Sequence, residues 1–447
     1  MDLDIRVPGY AKPELVYTIE TLMNMAFVEE NHIFSTHDFP RVEIQFGGKV
    51  ICFHQSFFMG EGKGPEEWYS SDRLPSAPIL FKSDIFKDQL LLLYGESVDE
   101  IEDNKYIVKA DIFGSAFFML SRWEEFVVKD RDQHGRFDAE KAFSVTNGFI
   151  RRPVVNEYAM YLRSCLEWLG LQLSPIPGGQ ITLSFDIDYI YKWKSLRNLF
   201  GAWKRNFPHL QQCWSDSKSY LKSRSDKNYD PYYQIPYLLQ SLAKKGIKAV
   251  FFIKAENYQT AEDNADYLPG DPSMRPLLGE ILSAGHQIGL HPSYASFERA
   301  ELIAQEKKLL EVAINQKIAL VRNHFLRVQL PKTYQEYLNA GFTVDSSAMY
   351  TRYPGFRNGT CSSFRFFDFM KREETALTVV PLVAMMYEDL GNEAEHVKED
   401  MVQLSNPVHQ IGGDAMILWH NSDLDTLQKK QAFEDLLDKI SVHKDRF

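Results

Sequence analysis

The stretch Ile181-Thr182-Leu183-Ser184-Phe185-Asp186-Ile187-Asp188 contains the pattern from which the fold is predicted. Its first half is an apolar run typical of a buried strand, and Asp186 and Asp188 follow at its end. Residues i and i+2 of a strand project from the same face, so the two carboxylates are expected to lie side by side. Such close carboxylates repel each other unless a cation or a shared proton relieves them. The segment therefore predicts a metal-plus-base site, although a strand end followed by a capping Asp fits the same residues equally well.

Apolar runs of this kind recur along residues 181–447 and alternate with amphipathic helical patterns. Strands are predicted at 181–185, 248–253, 287–290, 318–321, 342–344, 377–380 and 415–419, and helices at 237–245, 274–284, 297–315 and 334–340. Alternation of strands and helices implies parallel βα units. About seven units in this length predict an α/β fold built as a distorted (β/α)7-type barrel. A doubly wound sheet is the alternative.

Residues 1–150 have a different character. Short mixed segments at 42–46, 50–53, 79–81 and 90–94 and a helix at 113–126 predict a smaller N-terminal α/β accessory domain. Residues 151–180 are predicted to contain a connecting helix at 154–170 and a linker rich in Pro and Gly. Residues 181–447 would form the barrel, with an insertion at 189–231 that is rich in Trp, Lys, Arg and Tyr. This insertion is expected either to cover the site and stack on sugar rings or to form a peripheral helical hairpin.

Composition restricts the partners and the compartment. The net charge of −11, with no basic run to compensate it, argues against a nucleic-acid or anionic-membrane partner. No apolar run approaches the ~18 residues that a transmembrane segment needs. The first residues include acids where a signal peptide has a basic region, and the four cysteines are too widely spaced for a zinc ribbon. We expect a cytoplasmic protein, and the sequence leaves its oligomeric state open.

Ionisable side chains stand at the ends of five predicted strands. In chain order they are Asp186 and Asp188, His291, Arg322 and His324, Asp345, and His420. In a parallel barrel these strand ends share one face, where active sites form. A single buried His is more often structural than functional, but five strand ends together predict a functional site.

These segments resemble the ordered motifs of the polysaccharide deacetylases, carbohydrate esterase family four with the NodB-homology fold. The resemblance rests on residues 184–188, 285–291, 322–324 and 418–420, and it covers roughly residues 180–425. Residues 111–114 and 120–125 are similar to the N-terminal extension of a bacterial subgroup of these proteins.

The resemblance implies catalytic roles for three residues. Asp186 matches the general base, Arg322 matches the residue that orients this base, and His420 matches the general acid. Asp345 is expected either to hold His420 in its protonated form or to act as a structural cap.

The resemblance also implies a metal site. Asp188 and His291 match two ligands, but the family's second His is replaced by Ala295. We expect His324 to supply the third ligand, since three protein ligands plus water is usual in hydrolytic sites. A substrate-contacting role for His324 fits almost as well. Zinc is the expected metal, and cobalt, nickel or manganese would also suit these ligands.

The function implied by the resemblance is hydrolysis of an N-acetyl group on a sugar or glycan intermediate, with a carbohydrate as substrate. Two alternatives stay open. One is a degenerate glycan- or partner-binding protein without turnover, which Ala295 supports, and the other is a carbohydrate O-acetyl esterase. A serine hydrolase is not expected because the chain has no GxSxG elbow.

Overall fold

The structure, a computed structural model, describes residues 2–59, 65–256, 258, 260–386 and 394–441. The strands are β1 (Leu3–Pro8), β2 (His32–His37), β3 (Arg41–Phe46), β4 (Lys49–His54), β5 (Ile79–Ser83), β6 (Phe86–Leu92), β7 (Gly95–Glu102), β8 (Lys105–Ala110), β9 (Gln180–Ile187), β10 (Ala249–Ile253), β11 (Gln287–Leu290), β12 (Leu320–Val321), β13 (Val344–Asp345), β14 (Phe364–Asp368), β15 (Glu373–Val379), β16 (Leu382–Met385) and β17 (Asp414–His420). The α-helices are α1 (Lys12–Met25), α2 (Pro65–Trp68), α3 (Ile112–Ser121), α4 (Glu124–Val127), α5 (Phe143–Thr146), α6 (Val154–Leu169), α7 (Leu196–Asn206), α8 (Leu210–Ser225), α9 (Ile235–Lys244), α10 (Arg275–Ser283), α11 (Glu301–Ile314), α12 (Lys332–Asn339), α13 (Ala394–Gln410) and α14 (Leu427–Ser441).

The first eight strands form two sheets of their own. Six of them make a mixed sheet in the order β2-β1-β3-β4-β8-β7, and β5 and β6 form a separate antiparallel pair. Helices α1, α3 and α6 pack against one another beside these strands. The predicted helix at 113–126 is divided in two, because Arg122 takes a left-handed conformation with φ of 53° between α3 and α4.

The later strands form one sheet in the order β14-β15-β13-β12-β11-β10-β9-β17-β16. Every pairing is parallel except that of β14 with β15. The amide of Val380 donates to the backbone carbonyl of Asp345 (2.8 Å), and the carbonyl of Pro381 accepts from the amide of Met416 (2.8 Å). Because β15 pairs with β13 and the adjoining β16 pairs with β17, one continuous segment contacts both ends of the parallel array, and the sheet curls.

This topology confirms the predicted α/β class. Each of the seven predicted strands in residues 181–447 overlaps an observed strand, and each of the four predicted helices overlaps an observed helix. Strands β14 and β16 were not predicted, and β12 and β13 are only two residues long. Part of the predicted barrel region, residues 387–393 and 442–447, lies outside the described residues.

The two groups of strands share a core. One apolar cluster extends from Leu3 to Leu437 and includes buried residues of both sheets. Polar contacts also join them: Tyr17 donates to the Arg365 carbonyl (2.8 Å), and Arg372 pairs with Glu14 (2.7 Å).

The insertion at 189–231 contains α7 and α8, which pack against each other as a helical hairpin. Its buried residues Trp193, Leu199, Ala202 and Tyr220 form a small core separate from the main one. Within the described residues, no helix is both long and apolar enough to cross a bilayer.

Candidate active site

Asp186 lies near the end of β9 and is held by a buried arginine. Arg322, which directly follows β12, donates from Nη1 to Asp186 Oδ1 (3.0 Å). The same guanidinium donates to Ser184 Oγ (2.8 Å) and to the carbonyl of Ser346 (2.9 Å). Burial lowers the pKa of Arg322, and the Asp186 carboxylate opposes this shift. The Arg322 guanidinium is thus fixed by several acceptors, and it fixes the Asp186 carboxylate in turn.

Arg322 also orients an imidazole through its backbone. The backbone carbonyl of Arg322 lies 2.6 Å from Nδ1 of His291, and His291 is the residue that follows β11. A carbonyl can only accept, so Nδ1 carries the proton and Nε2 keeps its lone pair. Burial lowers the pKa of His291 despite the nearby carboxylates of Asp186 and Asp188, which favours the neutral ring. A neutral imidazole with this tautomer is suited to binding a metal through Nε2.

Asp188, His291 and His324 meet at one point, and we refer to these three residues as the open cluster. Asp188 Oδ1 lies 3.5 Å from His291 Nε2 and 3.7 Å from His324 Nδ1. One possible ligand atom from each residue falls within 4.8 Å of the other two. Asp188 Oδ1 is buried and accepts no hydrogen bond from any described residue. A buried carboxylate oxygen without a donor, beside two imidazole nitrogens, fits a divalent cation.

A buried lysine adjoins the open cluster. Lys254, which directly follows β10, places Nζ 2.8 Å from His324 Nδ1. Its ammonium also lies 3.2 Å from Glu256 Oε1 and 3.4 Å from Asp263 Oδ1. Burial is the largest cause that lowers the pKa of His324, and Lys254 adds to it. His324 is therefore a neutral ring whose Nδ1 lone pair is already used by Lys254, and a bound ion would compete for it.

His420, the last residue of β17, lies on the other side of Asp188. Its Nε2 is 3.9 Å from Asp188 Oδ2, and its Nδ1 is 3.1 Å from Asp423 Oδ2. Burial opposes protonation of the ring, but Asp423, Asp188 and Asp186 outweigh it and raise the pKa of His420 to about 10. The ring is therefore protonated at neutral pH.

The partner of His420 is Asp423, and the expectation that Asp345 serves this role is wrong. Both oxygens of Asp345 are used locally, since they accept from Tyr334 Oη (2.9 Å) and from the hydroxyl (2.6 Å) and amide of Ser347. The structural alternative for Asp345 describes these contacts.

The structure thus places all six predicted site residues in one group at the carboxyl ends of β9, β11, β12 and β17. Two contacting residues were missed. Lys254 follows a predicted strand directly, which is the same signal that identified His291. Asp423 stands three residues after His420, and its side chain accepts from the His420 amide (3.1 Å) as in a capping box.

At residue 295, where the chain has Ala and not His, a carboxylate holds the backbone in place. The amides of Ala295 and Tyr294 donate to Asp263 (3.0 and 2.6 Å), and the amide of Ser293 donates to Glu306 (2.9 Å). Burial raises the pKa of Glu306 to about 7. These contacts fix the turn after β11 by its backbone, without a metal ligand from residue 295.

A cavity of about 800 Å³ lies between the base of the insertion and residues 256–271. Its lining includes Tyr191, Trp193, Tyr258 and Lys194, together with Glu256, which contacts Lys254. A smaller cavity of about 510 Å³ adjoins it through Tyr191, Trp193 and Lys194. Aromatic faces and polar groups thus lie close to the site.

Comparison with known proteins gives one family model and several solved structures. A family model described as a family of unknown function, DUF7033, matches residues 5–170. No curated protein matches the chain.

Several solved structures align with about 60% of the chain. A protein from Mycobacterium smegmatis assigned to the polysaccharide deacetylases is 14% identical, with 60% of this chain and 86% of that chain covered and a TM-score of 0.39. A pseudoenzyme of carbohydrate esterase family 4 from Bacillus anthracis is 12% identical, with coverage of 60% and 65% and a TM-score of 0.31. A family 4 carbohydrate esterase from Streptomyces lividans, in complex with acetate, is 10% identical, with coverage of 59% and 87% and a TM-score of 0.29. Likenesses of this strength carry no argument about function.

Proposed function

We propose that the protein is a metal-dependent carbohydrate de-N-acetylase that acts on a sugar or glycan intermediate. The observation that carries the proposal is the grouping of an Arg-held carboxylate, the open cluster and a protonated imidazole at one set of strand ends. In this proposal residues 181–447 form a distorted (β/α)7-type barrel, and residues 1–150 form an accessory domain.

The open cluster would hold the metal, with zinc as the expected ion. The donor set of one carboxylate and two neutral imidazoles supports this choice, as does the unpartnered Asp188 Oδ1. When bound, the ion would polarise the acetyl carbonyl and favour ionisation of a water molecule.

Asp186 would act as the general base. Its Oδ1 accepts from Arg322 (3.0 Å), while its Oδ2 lies 3.8 Å from His291 Nε2 and so points toward the open cluster. The guanidinium orients the carboxylate, so that Oδ2 can take a proton from the attacking water.

His420 would act as the general acid. An amine leaves poorly as an anion, so the nitrogen of the breaking amide bond must receive a proton. The contact with Asp423 favours the charged ring, and Nε2, on the side of Asp188, would deliver the proton. Asp423 is then a positioning residue for His420.

A carbohydrate substrate is supported by the aromatic lining beside the site. Tyr191 and Tyr258 line the larger cavity, and flat aromatic rings suit the apolar faces of sugars. The four cysteines are free thiols, which agrees with a reducing compartment.

The test is metal analysis of the purified protein, followed by an assay for acetate release from N-acetylated and O-acetylated sugars in the presence of zinc. We expect acetate from the N-acetyl substrates and none from the Asp186→Asn variant. Release from O-acetyl substrates alone would support the esterase alternative. Zinc-loaded protein that releases no acetate from any substrate would contradict both.

One observation favours a second candidate, a glycan-binding protein without turnover. The Lys254 ammonium contacts His324 Nδ1 and carries a positive charge at the edge of the open cluster. If this contact persists in the presence of zinc, the open cluster would stay metal-free. The cavity would then bind a glycan without hydrolysing it. Glycan binding measured in the absence of zinc, with no zinc uptake, would support this candidate.

A further inference from the structure

The α7–α8 hairpin exposes large apolar side chains on both helices. Along α7 and the turn, residues 196, 200, 203 and 207 are Leu, Phe, Trp and Phe, spaced so that they share one side of the helix. Along α8, Leu210, Trp214 and Leu221 continue the pattern. These seven side chains are 37% to 75% exposed. Because the hairpin has its own small core of Trp193, Leu199, Ala202 and Tyr220, its stability does not explain this exposed set.

The charge of the insertion is opposite to that of the chain. Residues 189–231 contain nine Lys or Arg and three Asp or Glu, a net charge of +6, while the whole chain carries −11. Two of the three acids are buried and used internally: Asp230 accepts from the amides of Lys192 and Trp193, and Asp216 pairs with Lys192. Eight of the nine basic side chains are exposed, whereas Asp226 is the single exposed acid of the insertion. The outer surface of the hairpin is therefore basic as well as apolar.

We propose that the α7–α8 hairpin docks on the surface of an anionic lipid bilayer. Helices that lie in a membrane interface have Trp, Phe and Leu on one face and Lys and Arg beside it. On α7 the exposed apolar stripe of Leu196, Phe200 and Trp203 is flanked by Arg197 and Lys204, whose long side chains can reach headgroup phosphates while their stems cover apolar surface. Trp203 and Trp214 are the residue type that concentrates at headgroup depth.

A second copy of the chain fits this surface less well. Six of the nine basic residues of the insertion are Lys. Lys is depleted in protein–protein interfaces, whereas it is enriched on the polar face of interfacial helices. The mixture of Lys, Trp and Phe therefore favours headgroups as the occupant.

Docking would place the active site beside the membrane. The hairpin begins a few residues after Asp188, and its base is fastened near the site by Lys194, which donates to the Asn264 carbonyl (3.1 Å), and by Asn421, which donates to the Tyr189 carbonyl (2.7 Å). The cavity lined by Tyr191 and Trp193 lies at this base. A substrate held at the lipid surface would then reach the cavity without leaving the interface.

The test is co-sedimentation of the full chain with vesicles of phosphatidylcholine, with or without phosphatidylglycerol, at low salt. We expect binding to the anionic vesicles, together with a blue shift of tryptophan emission. The variant Phe207→Ser/Leu210→Ser/Trp214→Ser should lower the partition coefficient by about tenfold or more. Lys204→Gln/Arg205→Gln should lower it by about fivefold per charge removed.

The matched control is Ile33→Ser/Leu80→Ser/Leu427→Ser, which removes equally exposed apolar side chains elsewhere and should bind as the wild type does. Thermal unfolding of each variant shows whether it is folded. Failure of the wild type to bind anionic vesicles, or equal binding by the hairpin variant, would overturn the proposal. Self-association without lipid that the hairpin variant abolishes would identify a second copy as the occupant and would also overturn it. No readout depends on acetate release.

Discussion

Two groups of ionisable side chains differ in how completely their carboxylate oxygens accept hydrogen bonds. In the closed cluster, Arg122, Glu125, Tyr350 and Arg357, both oxygens of Glu125 accept hydrogen bonds. They come from Arg122 (3.0 Å), Tyr350 (3.2 Å) and Arg357 (2.9 and 2.6 Å). In the open cluster, Asp188 Oδ1 has no donor among the described residues. Glu125 and the Oδ1 atom of Asp188 are both buried, so burial alone does not distinguish a structural carboxylate from a functional one.

The comparison separates a carboxylate that is paired within the fold from one whose oxygen is available to a ligand. The closed cluster links α4 to residues 350–357, and its partners compensate the cost of removing Glu125 from water. The open cluster leaves such a cost uncompensated, as functional sites commonly do. Substitutions in the closed cluster should therefore affect stability, and those in the open cluster should affect metal binding and activity.

The largest expected effect is on catalysis beside the open cluster. Asp186→Asn should lower the rate of acetate release by about 10²–10⁴-fold, because the amide cannot accept the proton of water. Zinc affinity should change little, since Asp186 is not among the proposed ligands. Unchanged turnover, after contaminating hydrolases are excluded, would disprove the base assignment.

Glu125→Gln should lower the free energy of unfolding by about 3–5 kcal/mol, because it leaves the buried guanidinium of Arg357 without its carboxylate and leaves Arg122 with Glu124 alone. Urea unfolding of the metal-free protein measures this change. Glu140→Gln, at an exposed carboxylate, is the control and should stay within about 0.5 kcal/mol of the wild type. A loss as small for Glu125→Gln as for the control would end the distinction between the clusters.

Asp188→Asn should weaken zinc binding by more than about 100-fold, while the stability of the metal-free protein should not fall. Isothermal titration with zinc and urea unfolding give the two values. Asp226→Asn, at an exposed carboxylate outside the cluster, should leave both unchanged. Equal zinc affinity in the two variants would show that Asp188 is not a ligand.

Lys254→Met should increase zinc affinity by about tenfold, because it removes a positive charge from the edge of the site and frees the Nδ1 lone pair of His324. The same zinc titration measures it. A decrease would instead mean that Lys254 holds His324 in the orientation needed for coordination.

The smallest expected effects are changes of stability with pH. The contributions of Glu125 and Glu306 to stability should change in opposite directions as the pH rises. Burial raises the pKa of Glu125, but Arg357 and Arg122 outweigh burial and lower it to about 2 from an ordinary value of 4.5. Its stabilisation is present above pH 4.5 and is lost as pH falls toward 2. Burial raises the pKa of Glu306 to about 7. Its contribution is present below pH 4.5 and is lost as pH rises toward 7.

Urea midpoints of the wild type relative to Glu125→Gln and Glu306→Gln, across these two windows, measure the signs. As pH falls toward 2, the urea midpoint of the wild type should lose its advantage over that of Glu125→Gln. As pH rises from 4.5 toward 7, the urea midpoint of the wild type should fall relative to that of Glu306→Gln. The same sign for both variants would contradict the assignment of the two environments.

The sequence predicted the parallel strands because their apolar runs are continuous, and it predicted that six ionisable residues would lie together because they stand at the ends of those runs. It did not predict β16, since Leu382–Met385 lies only two residues beyond β15 and reads as part of the same run. The pairing of this segment with both β13 and β17 is a tertiary property that no local pattern contains. The division of the helix at Arg122 was also missed, because the apolar pattern of residues 113–126 gives no sign of the left-handed backbone conformation at Arg122.

Within the site, the roles that depend on pairing could not be predicted. Asp345 and Asp423 both stand near strand ends, and only the structure shows that Asp423 contacts His420. The overall charge of −11 includes a local charge of +6 in the insertion. The expectation of no anionic-membrane partner used the overall charge and did not consider the insertion separately.

Arg322 contacts Asp186 through its side chain and His291 through its backbone carbonyl. A substitution at residue 322 affects these two contacts differently. The guanidinium that steadies Asp186 disappears with almost any substitution, whereas the carbonyl that fixes the His291 tautomer is retained by every amino acid. Mutational drift at this position would therefore impair proton transfer first and would leave the orientation of the imidazole intact. A variant without Arg322 would keep the His291 tautomer that suits a metal ion and would lose the support of the proposed base.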